Sequence, residues 1–244
     1  MLKAVRIPID SDVLGRNVVA LTIPEPAPGF RAFEADYVAQ FDPGYAYAKV
    51  PLASIPLIHG LESEGFQWIE CQIQSSVRLR RPFDVSAFPG YAFEQVEREE
   101  DLAEVLDIAA STFTHDRWSI DPGLPPGLAG LRYRAYVRNS LQDPRERVYR
   151  LRDLATGRVL AFKTHRLQED GSVLFLLGGV HPEVKAMGLG LLNEYLEFNV
   201  LFEAGVRRGI THISAANHAV FNLEIGRLGF RVLQTSAVLR KLYP

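Results

Sequence analysis

The sequence has 244 residues, of which 47% are hydrophobic and 23% are charged, and its formal net charge at pH 7 is −2. These values are typical of a globular protein, and the length suffices for one large domain or two small ones with a substantial core. So small a negative charge gives no general attraction for phosphate backbones, which argues against nucleic acid as the main partner.

No targeting or membrane-spanning segment is predicted. The N-terminus lacks a basic stretch followed by an apolar one, and the longest apolar runs, such as 173–180, are too short to cross a bilayer. We therefore expect a cytoplasmic protein without a membrane partner. The single cysteine, Cys71, excludes an intramolecular disulfide and a cysteine-rich metal site, and its alternating apolar context favours a packing role.

Strands and helices alternate in the first part of the chain. Four segments have strand-like patterns: 5–7, 18–23, 45–50 and 66–79. Two have the apolar spacing of a helix: 30–41 and 52–64. The prolines and glycine of 81–91 indicate a linker. We therefore predict a small α/β domain over 1–85, followed by a second domain over 92–244.

The second part begins with predicted helices at 101–111 and 131–141, separated by a loop rich in proline and glycine at 121–130. An antiparallel meander with hairpin-type turns is then expected, with strands at 147–154, 159–167 and 172–180. The remaining pattern predicts helix 188–208, strand 211–214, helix 219–228 and strand 230–242. This order predicts an α+β fold with a mixed, mostly antiparallel sheet and helices on both faces.

The most informative segment joins an apolar strand, a loop with two glycines and a helix start, in the sequence Leu176-Leu-Gly-Gly-Val-His-Pro-Glu-Val-Lys-Ala-Met-Gly-Leu-Gly-Leu-Leu192. Backbone N–H groups over 185–190 and the helix macrodipole would attract an anion, and Gly188 and Gly190 would let a pyrophosphate approach closely. Gly178 and Gly179 predict a bulge, where an extended ligand arm can pair with free backbone groups.

This segment resembles the acetyl-CoA motif of the GNAT superfamily of N-acetyltransferases, in which Gln or Arg is followed after two residues by Gly-x-Gly or Gly-x-Ala. Lys185 replaces Gln or Arg, Gly188 and Gly190 match, and the preceding Val-His-Pro-Glu matches the family's lead-in. The resemblance implies a GNAT fold, with a smaller GNAT-like first domain, and acetyl-CoA as the acyl donor. The predicted donor-binding residues are Gly178, Gly179, Val180, Lys185, Ala186, Met187, Gly188, Leu189, Gly190, Asn217 and Asn222.

The segment 213–230 resembles the GNAT region in which an asparagine contacts the cofactor and a helical tyrosine protonates the departing thiolate. Asn217 matches the asparagine. The tyrosine is absent, because counting forward from Asn217 reaches Glu224, counting back from Gly229 reaches Ile225, and the segment has one residue more than usual. His218 and Glu224 are the catalytic candidates, Tyr195 is a further candidate proton donor, and protonation by water and loss of catalysis remain open alternatives.

The whole chain resembles two-domain GNAT enzymes that acetylate the amine of a nucleotide-linked deoxysugar, of the dTDP-fucosamine type. The similar pieces are 10–15, 46–51, 61–66, 113–122 and 136–141. In loop 113–122, Arg117 would pair with phosphate oxygens, while His115, Asp116 and Asp121 would orient hydroxyls or the amine. These four residues are the predicted substrate-binding set, and a loop that only caps helices is the alternative.

The sequence leaves the acceptor and the catalytic activity open. The acceptor could be another small amine or a peptide, and the chain could be a non-catalytic acyl-CoA-binding module. No metal-spaced cluster of histidine and cysteine is present, so no metal is expected. The segment 61–66 faintly echoes 225–230, each ending a helix at Gly-Phe, so the first half is a candidate degenerate copy that could form a homodimer face or a wall of the substrate site.

Overall fold

The computed structural model describes residues 1–244, except for the side chains of residues 185 and 186. The first half alternates strands and helices, as its sequence pattern predicts. In chain order its elements are β1 (Lys3–Arg6), α1 (Pro8–Leu14), β2 (Asn17–Thr22), α2 (Phe30–Phe41), β3 (Pro43–Pro51), α3 (Ile55–Ser63) and β4 (Gln67–Arg78). The short helix α1 was not predicted, because seven residues are too few to display a helical period.

The second half adds six strands and five α-helices. They are β5 (Tyr91–Val96), α4 (Ala103–Thr112), α5 (Arg117–Ile120), α6 (Leu128–Gln142), β6 (Glu146–Asp153), β7 (Val159–Leu167), β8 (Val173–Val180), α7 (Leu189–Glu203), β9 (Arg208–Ser214), α8 (His218–Leu223) and β10 (Arg231–Leu242). Strand β5 was missed, since it directly follows Pro89 and Gly90 in a segment with a linker's composition. No helix in the described residues is long and apolar enough to span a membrane.

All ten strands form one sheet, in the order β1-β2-β3-β10-β4-β9-β8-β7-β6-β5. The pairs β2–β3 and β8–β9 are parallel, and the other neighbours are antiparallel. The predicted mixed, mostly antiparallel sheet is therefore confirmed. The two halves share this sheet, and the structure does not separate a smaller N-terminal domain from the rest.

The two halves exchange their last strands. Strand β10 of the second half lies between β3 and β4, and β4 of the first half lies between β10 and β9. The cores follow the exchange: Leu239 of β10 packs in the core of the first half, and Val77 of β4 packs in a core of the second half. Each half thus completes the other, since burying an aliphatic side chain of this size contributes about 1.5–3 kcal/mol.

The order of elements is also repeated. The run β2-α2-β3-α3-β4 corresponds to β8-α7-β9-α8-β10, and each run ends with a strand of 12 residues. Before those strands, Gly65 and Gly229 have positive φ angles of 89° and 75°, and each is followed by a buried phenylalanine. Because a left-handed glycine ends a helix at no steric cost, the echo seen in the sequence corresponds to the same helix-to-strand connection in both halves.

Candidate functional site

The parallel strands β8 and β9 open into a cleft. They pair at only two positions, Val173 with Gly209 and Leu174 with Ile210. The corresponding strands of the first half, β2 and β3, stay paired at five positions. Beyond Leu174, the edge of β8 that faces β9 carries backbone groups that no strand of the described chain pairs with. Such an edge can accept an extended ligand as an added strand.

A bulge bends β8 where the cleft opens. Thr164 of β7 pairs with Leu177 and His165 with Phe175, so Leu176 is the additional residue. The Leu177 N–H donates to Thr164 Oγ1 at 3.0 Å. The predicted bulge at the two following glycines is therefore wrong by about two residues, because a threonine hydroxyl holds the irregularity nearer the start of the opening.

The two glycines of β8 instead allow close packing. A Cβ atom on Gly179 would lie 2.7 Å from Phe162 Cε1 and 3.0 Å from Thr112 Oγ1, so this position lets α4 approach the sheet. Gly178 is exposed at the cleft, where a Cβ would lie 3.0 Å from Lys163 Nζ. The backbone N–H groups of 177 and 181 donate to residues of β7. Because successive N–H groups of a strand point to opposite sides, those of 178 and 180 point into the cleft.

An open glycine loop joins β8 to α7. A 3₁₀ turn covers Pro182–Met187, Gly188 has a φ of 74°, and no described side chain caps the helix that begins at Leu189. A Cβ on Gly188 would meet nothing within 4 Å, and one on Gly190 would touch only Val180 Cγ2, at 3.8 Å. The loop therefore has room for a bulky anion near unpaired N–H groups. The predicted residues Lys185 and Ala186 lie outside the described side chains.

A cavity of about 530 Å³ lies between the diverging strands. Both halves line it: the first half supplies Asp10, Tyr47, Lys49, Glu70 and Gln72. Six predicted site residues also line it: His115, Asp116, Arg117, Gly178, Asn217 and Glu224. Asn217 in addition begins α8, and its Oδ1 accepts a hydrogen bond from the Val220 N–H at 3.3 Å.

Glu224 is the buried carboxyl group of this cavity. It begins a π turn, Glu224–Leu228, that follows α8 directly, and the Phe230 N–H donates to its carbonyl oxygen at 3.0 Å. A π turn accommodates one additional residue in a helix, so the additional residue counted in the sequence has a place here. The side chain is 6% exposed and accepts a hydrogen bond from Ser75 Oγ at 3.2 Å.

The pKa of Glu224 is raised to about 8, chiefly by burial and also by the nearby Glu194 carboxylate, while Lys163 and the Ser75 hydrogen bond act in the opposite direction. The carboxyl group is therefore largely protonated at pH 7 and changes its charge near pH 8. A group with this pKa can both donate and accept a proton under neutral conditions.

A buried ionic cluster lies beside Glu224. The Lys163 ammonium contacts Glu194 and lies 3.4 Å from Glu197 Oε2, while His165 Nδ1 lies 2.9 Å from Glu197 Oε1. Burial lowers the pKa of Lys163, but attraction to the two carboxylates outweighs burial and raises it, so the ammonium stays charged. In the sequence, Lys163 lies within an apolar strand pattern and Glu194 and Glu197 lie within an apolar helix pattern. Charged residues at such positions were the sequence feature that could have indicated a buried ionic site.

The predicted substrate loop only partly reaches the cavity. Arg117 is buried, with Nη1 3.7 Å from Glu70 Oε1 and Cζ 4.4 Å from the centre of the Tyr47 ring, so its charge is already engaged by the protein. Asp116 begins α5 by accepting the Trp118 N–H at 2.9 Å. His115 is exposed at the cavity wall.

Several predicted residues lie away from the cavity wall. Both carboxylate oxygens of Asp121 are occupied by Arg240, at 2.9 and 3.0 Å, and Tyr45 and the Gly123 N–H donate to them as well. Asp121 is therefore a structural group, and the expectation that it orients substrate is not met by its position. His218 and Asn222 are exposed on α8 and do not line the cavity.

Solved structures with a similar fold include GCN5-related N-acetyltransferases. One from Sphaerobacter thermophilus superposes with a TM-score of 0.70 at 13% identity, over 98% of this chain and 76% of that one. A tandem GNAT protein from the clavulanic acid biosynthesis pathway gives 0.61 at 16% identity, over 93% and 76% of the two chains. An enzyme from Kribbella flavida gives 0.62 at 16% identity, over 93% and 82%.

The chain therefore has the GNAT fold, that of the GCN5-related N-acetyltransferases. At these identities the likeness concerns the fold alone. No protein-family model matches the sequence, and no curated protein matches it. Among the described residues, no group of three or more His, Cys, Asp or Glu is arranged to hold a metal ion.

Proposed function

We propose that the chain is an N-acyltransferase that moves an acetyl group from acetyl-CoA to a primary amine. The observation that carries the proposal is the cleft: two parallel strands diverge between an open glycine loop and a cavity that contains a carboxyl group with a raised pKa. The first half has the same element order but no such opening.

The residues of the cleft fit the donor. The open backbone at Gly188 and Gly190 would hold the pyrophosphate, since neither position carries a side chain that fills the space. The N–H groups of Gly178 and Val180 would bind the extended pantetheine arm and the thioester oxygen. When bound, acetyl-CoA supplies a thioester whose carbonyl carbon an amine can attack.

Glu224 is the proton carrier in this proposal. Near neutral pH its carboxyl group holds a proton that it can donate to the departing sulfur as the carbon–sulfur bond breaks. The nitrogen that forms the new bond has one proton to lose, and the carboxylate can take it. The two transfers balance and restore Glu224, while fixing both reactants in one cavity contributes several kcal/mol through proximity.

The acceptor enters from the part of the cavity lined by Tyr47, Lys49, Glu70 and loop 113–118. A nucleotide-linked amino sugar is the acceptor that the sequence resemblance favours, and other small amines or a peptide amine are alternatives. Arg117 is already paired with Glu70, so its positive charge is partly compensated before any phosphate binds.

The test is isothermal titration with acetyl-CoA, followed by detection of released thiol with a panel of amines. Gly188→Trp should abolish binding by filling the open loop. Gly157→Trp is the matched control, because Gly157 also has a positive φ, 75°, and an open Cβ direction, but lies in the β6–β7 turn.

Binding lost only in Gly188→Trp, together with thiol release by the wild type, supports the transferase. No binding to the wild type overturns the proposed function. Binding without turnover on any amine points to the non-catalytic acyl-CoA module instead.

A further inference from the structure

Most charged side chains that line the cavity are paired within the protein. Arg117 pairs with Glu70, and Lys163 pairs with Glu194. Arg132 Nε donates to Asp10 Oδ1 at 2.7 Å. These pairs cancel much of the local charge, so a charged side chain left without a partner in the same cavity marks a place where a ligand charge can be compensated.

Lys49 is such a side chain. It lies on β3 of the first half, in the strand register that joins it through Val238 of β10 to Glu70 of β4. It lines the cavity, yet it forms no ion pair and no hydrogen bond with any side chain that the structure describes. The residue is exposed to solvent and lines the cavity.

The surroundings destabilise its positive charge. The pKa of Lys49 is lowered to about 8, chiefly by desolvation and also by the charges of Arg117 and Arg132, while Glu70 and Asp10 act in the opposite direction. His212, which also lines the cavity, adds no charge at neutral pH, since desolvation and the Lys49 charge lower the pKa of its ring to about 4. A ligand anion beside the ammonium would relieve this imbalance.

We propose that the amine acceptor carries an anionic group, a carboxylate or a phosphate, and that Lys49 binds this group while the amine points toward Glu224. The inference rests on the proposed acyltransferase function and names the substrate class of the same cavity. The acceptor is then an amino acid-like or phosphorylated amine rather than a simple amine or a polyamine. The first half thereby supplies the specificity of a reaction whose proton carrier belongs to the second half.

Matched pairs of amines test this assignment. Thiol release is measured for 4-aminobutyrate against butylamine, and for phosphoethanolamine against ethanolamine, at a fixed saturating acetyl-CoA concentration. We expect a higher kcat/KM for the anionic member of at least one pair. The first pair tests a carboxylate and the second tests a phosphate, so the comparison shows which of the two anionic groups the site prefers.

Lys49→Met should lower kcat/KM for the preferred anionic amine by about 10- to 100-fold, mainly through KM, which is the range for one charge-assisted hydrogen bond. Lys49→Arg should restore part of it. Lys3→Met, on the exposed edge strand β1, removes the same charge outside the cavity and serves as the control.

Calorimetry with CoA-saturated protein separates this inference from the proposed function. Saturable binding of an anionic amine that Lys49→Met abolishes, without turnover of any amine, supports the Lys49 site but overturns the acyltransferase. Equal use of both members of each pair, or equal losses in Lys49→Met and Lys3→Met, overturns the Lys49 assignment. Absence of binding by every anionic amine overturns it as well.

Discussion

Ser75 Oγ donates a hydrogen bond to Glu224 Oε2 at 3.2 Å, although the two residues belong to different halves of the chain. Ser75 lies on the exchanged strand β4, and Glu224 begins the π turn after α8. The protonation of the candidate proton carrier thus depends on a strand that the other half supplies.

Replacing Glu224 with glutamine should lower kcat by about 100- to 10,000-fold, the usual contribution of general acid–base catalysis. The dissociation constant of acetyl-CoA should change little, because the amide keeps the shape of the side chain. Steady-state thiol release and calorimetry measure the two quantities. An unchanged kcat would exclude Glu224 as the proton carrier.

Ser75→Ala should shift the pH profile of the same reaction. The Ser75 hydrogen bond lowers the pKa of Glu224, so its loss should move the midpoint that this carboxyl group contributes toward higher pH. Ser63→Ala, on the exposed face of α3, is the control for loss of a serine hydroxyl. Identical profiles in wild type and Ser75→Ala would contradict the coupling.

The stability of the wild type should fall as pH rises from about 4.5 to 8. The native protein retains the Glu224 proton in this window, because its pKa is raised from 4.5 to about 8, whereas the unfolded chain releases it. The loss is at most about 5 kcal/mol. Glu224→Gln lacks this loss, so its free energy of unfolding relative to wild type should increase toward pH 8. Urea unfolding at pH 5, 6.5 and 8 measures this, with the exposed Glu203→Gln as control.

Asp121→Asn should destabilise the fold by about 3–5 kcal/mol, because it leaves the buried Arg240 guanidinium without its counter-charge. The KM for the amine should stay within about twofold once the variant is assayed below its unfolding temperature, as Asp121 does not line the cavity. Thermal unfolding and initial rates give the two results. A large KM change in a stable variant would restore the predicted substrate role.

Gly179→Ala should cost about 1–3 kcal/mol, because its methyl group would lie within 3.0 Å of both Phe162 and Thr112. Gly190→Ala is the matched change in the same segment, and its nearest contact, Val180 Cγ2 at 3.8 Å, is an ordinary one. Since alanine also favours the helix, this variant should be as stable as the wild type or slightly more so. Denaturant midpoints compare them.

One donor should bind per chain, despite the repeated element order. Strands β2 and β3 stay paired, so the first half offers no cleft. Calorimetric titration should give a stoichiometry of one, and two sites per chain would show that this pair opens in solution.

Local pattern was sufficient for most of the elements. The helix predicted at 30–41 has those bounds, and the three strands of the meander lie where alternation and turn residues placed them. Strand β5 was hidden by adjacent proline and glycine. The exchange of β4 and β10 was not predictable, because a strand's partner depends on distant sequence. Lys49 and Glu70 were missed as cavity residues for the same reason, because only the exchanged strands place β3 and β4 beside the cavity of the second half.

The exchange of strands also determines when the first half can finish folding during synthesis. When β3 and β4 have left the ribosome, the place between them stays empty until β10 has been made, and meanwhile both carry an open edge with apolar neighbours. The nascent first half therefore cannot reach its final sheet alone. A truncation before Arg231 should therefore leave both halves unfinished at once, because it removes the strand between β3 and β4.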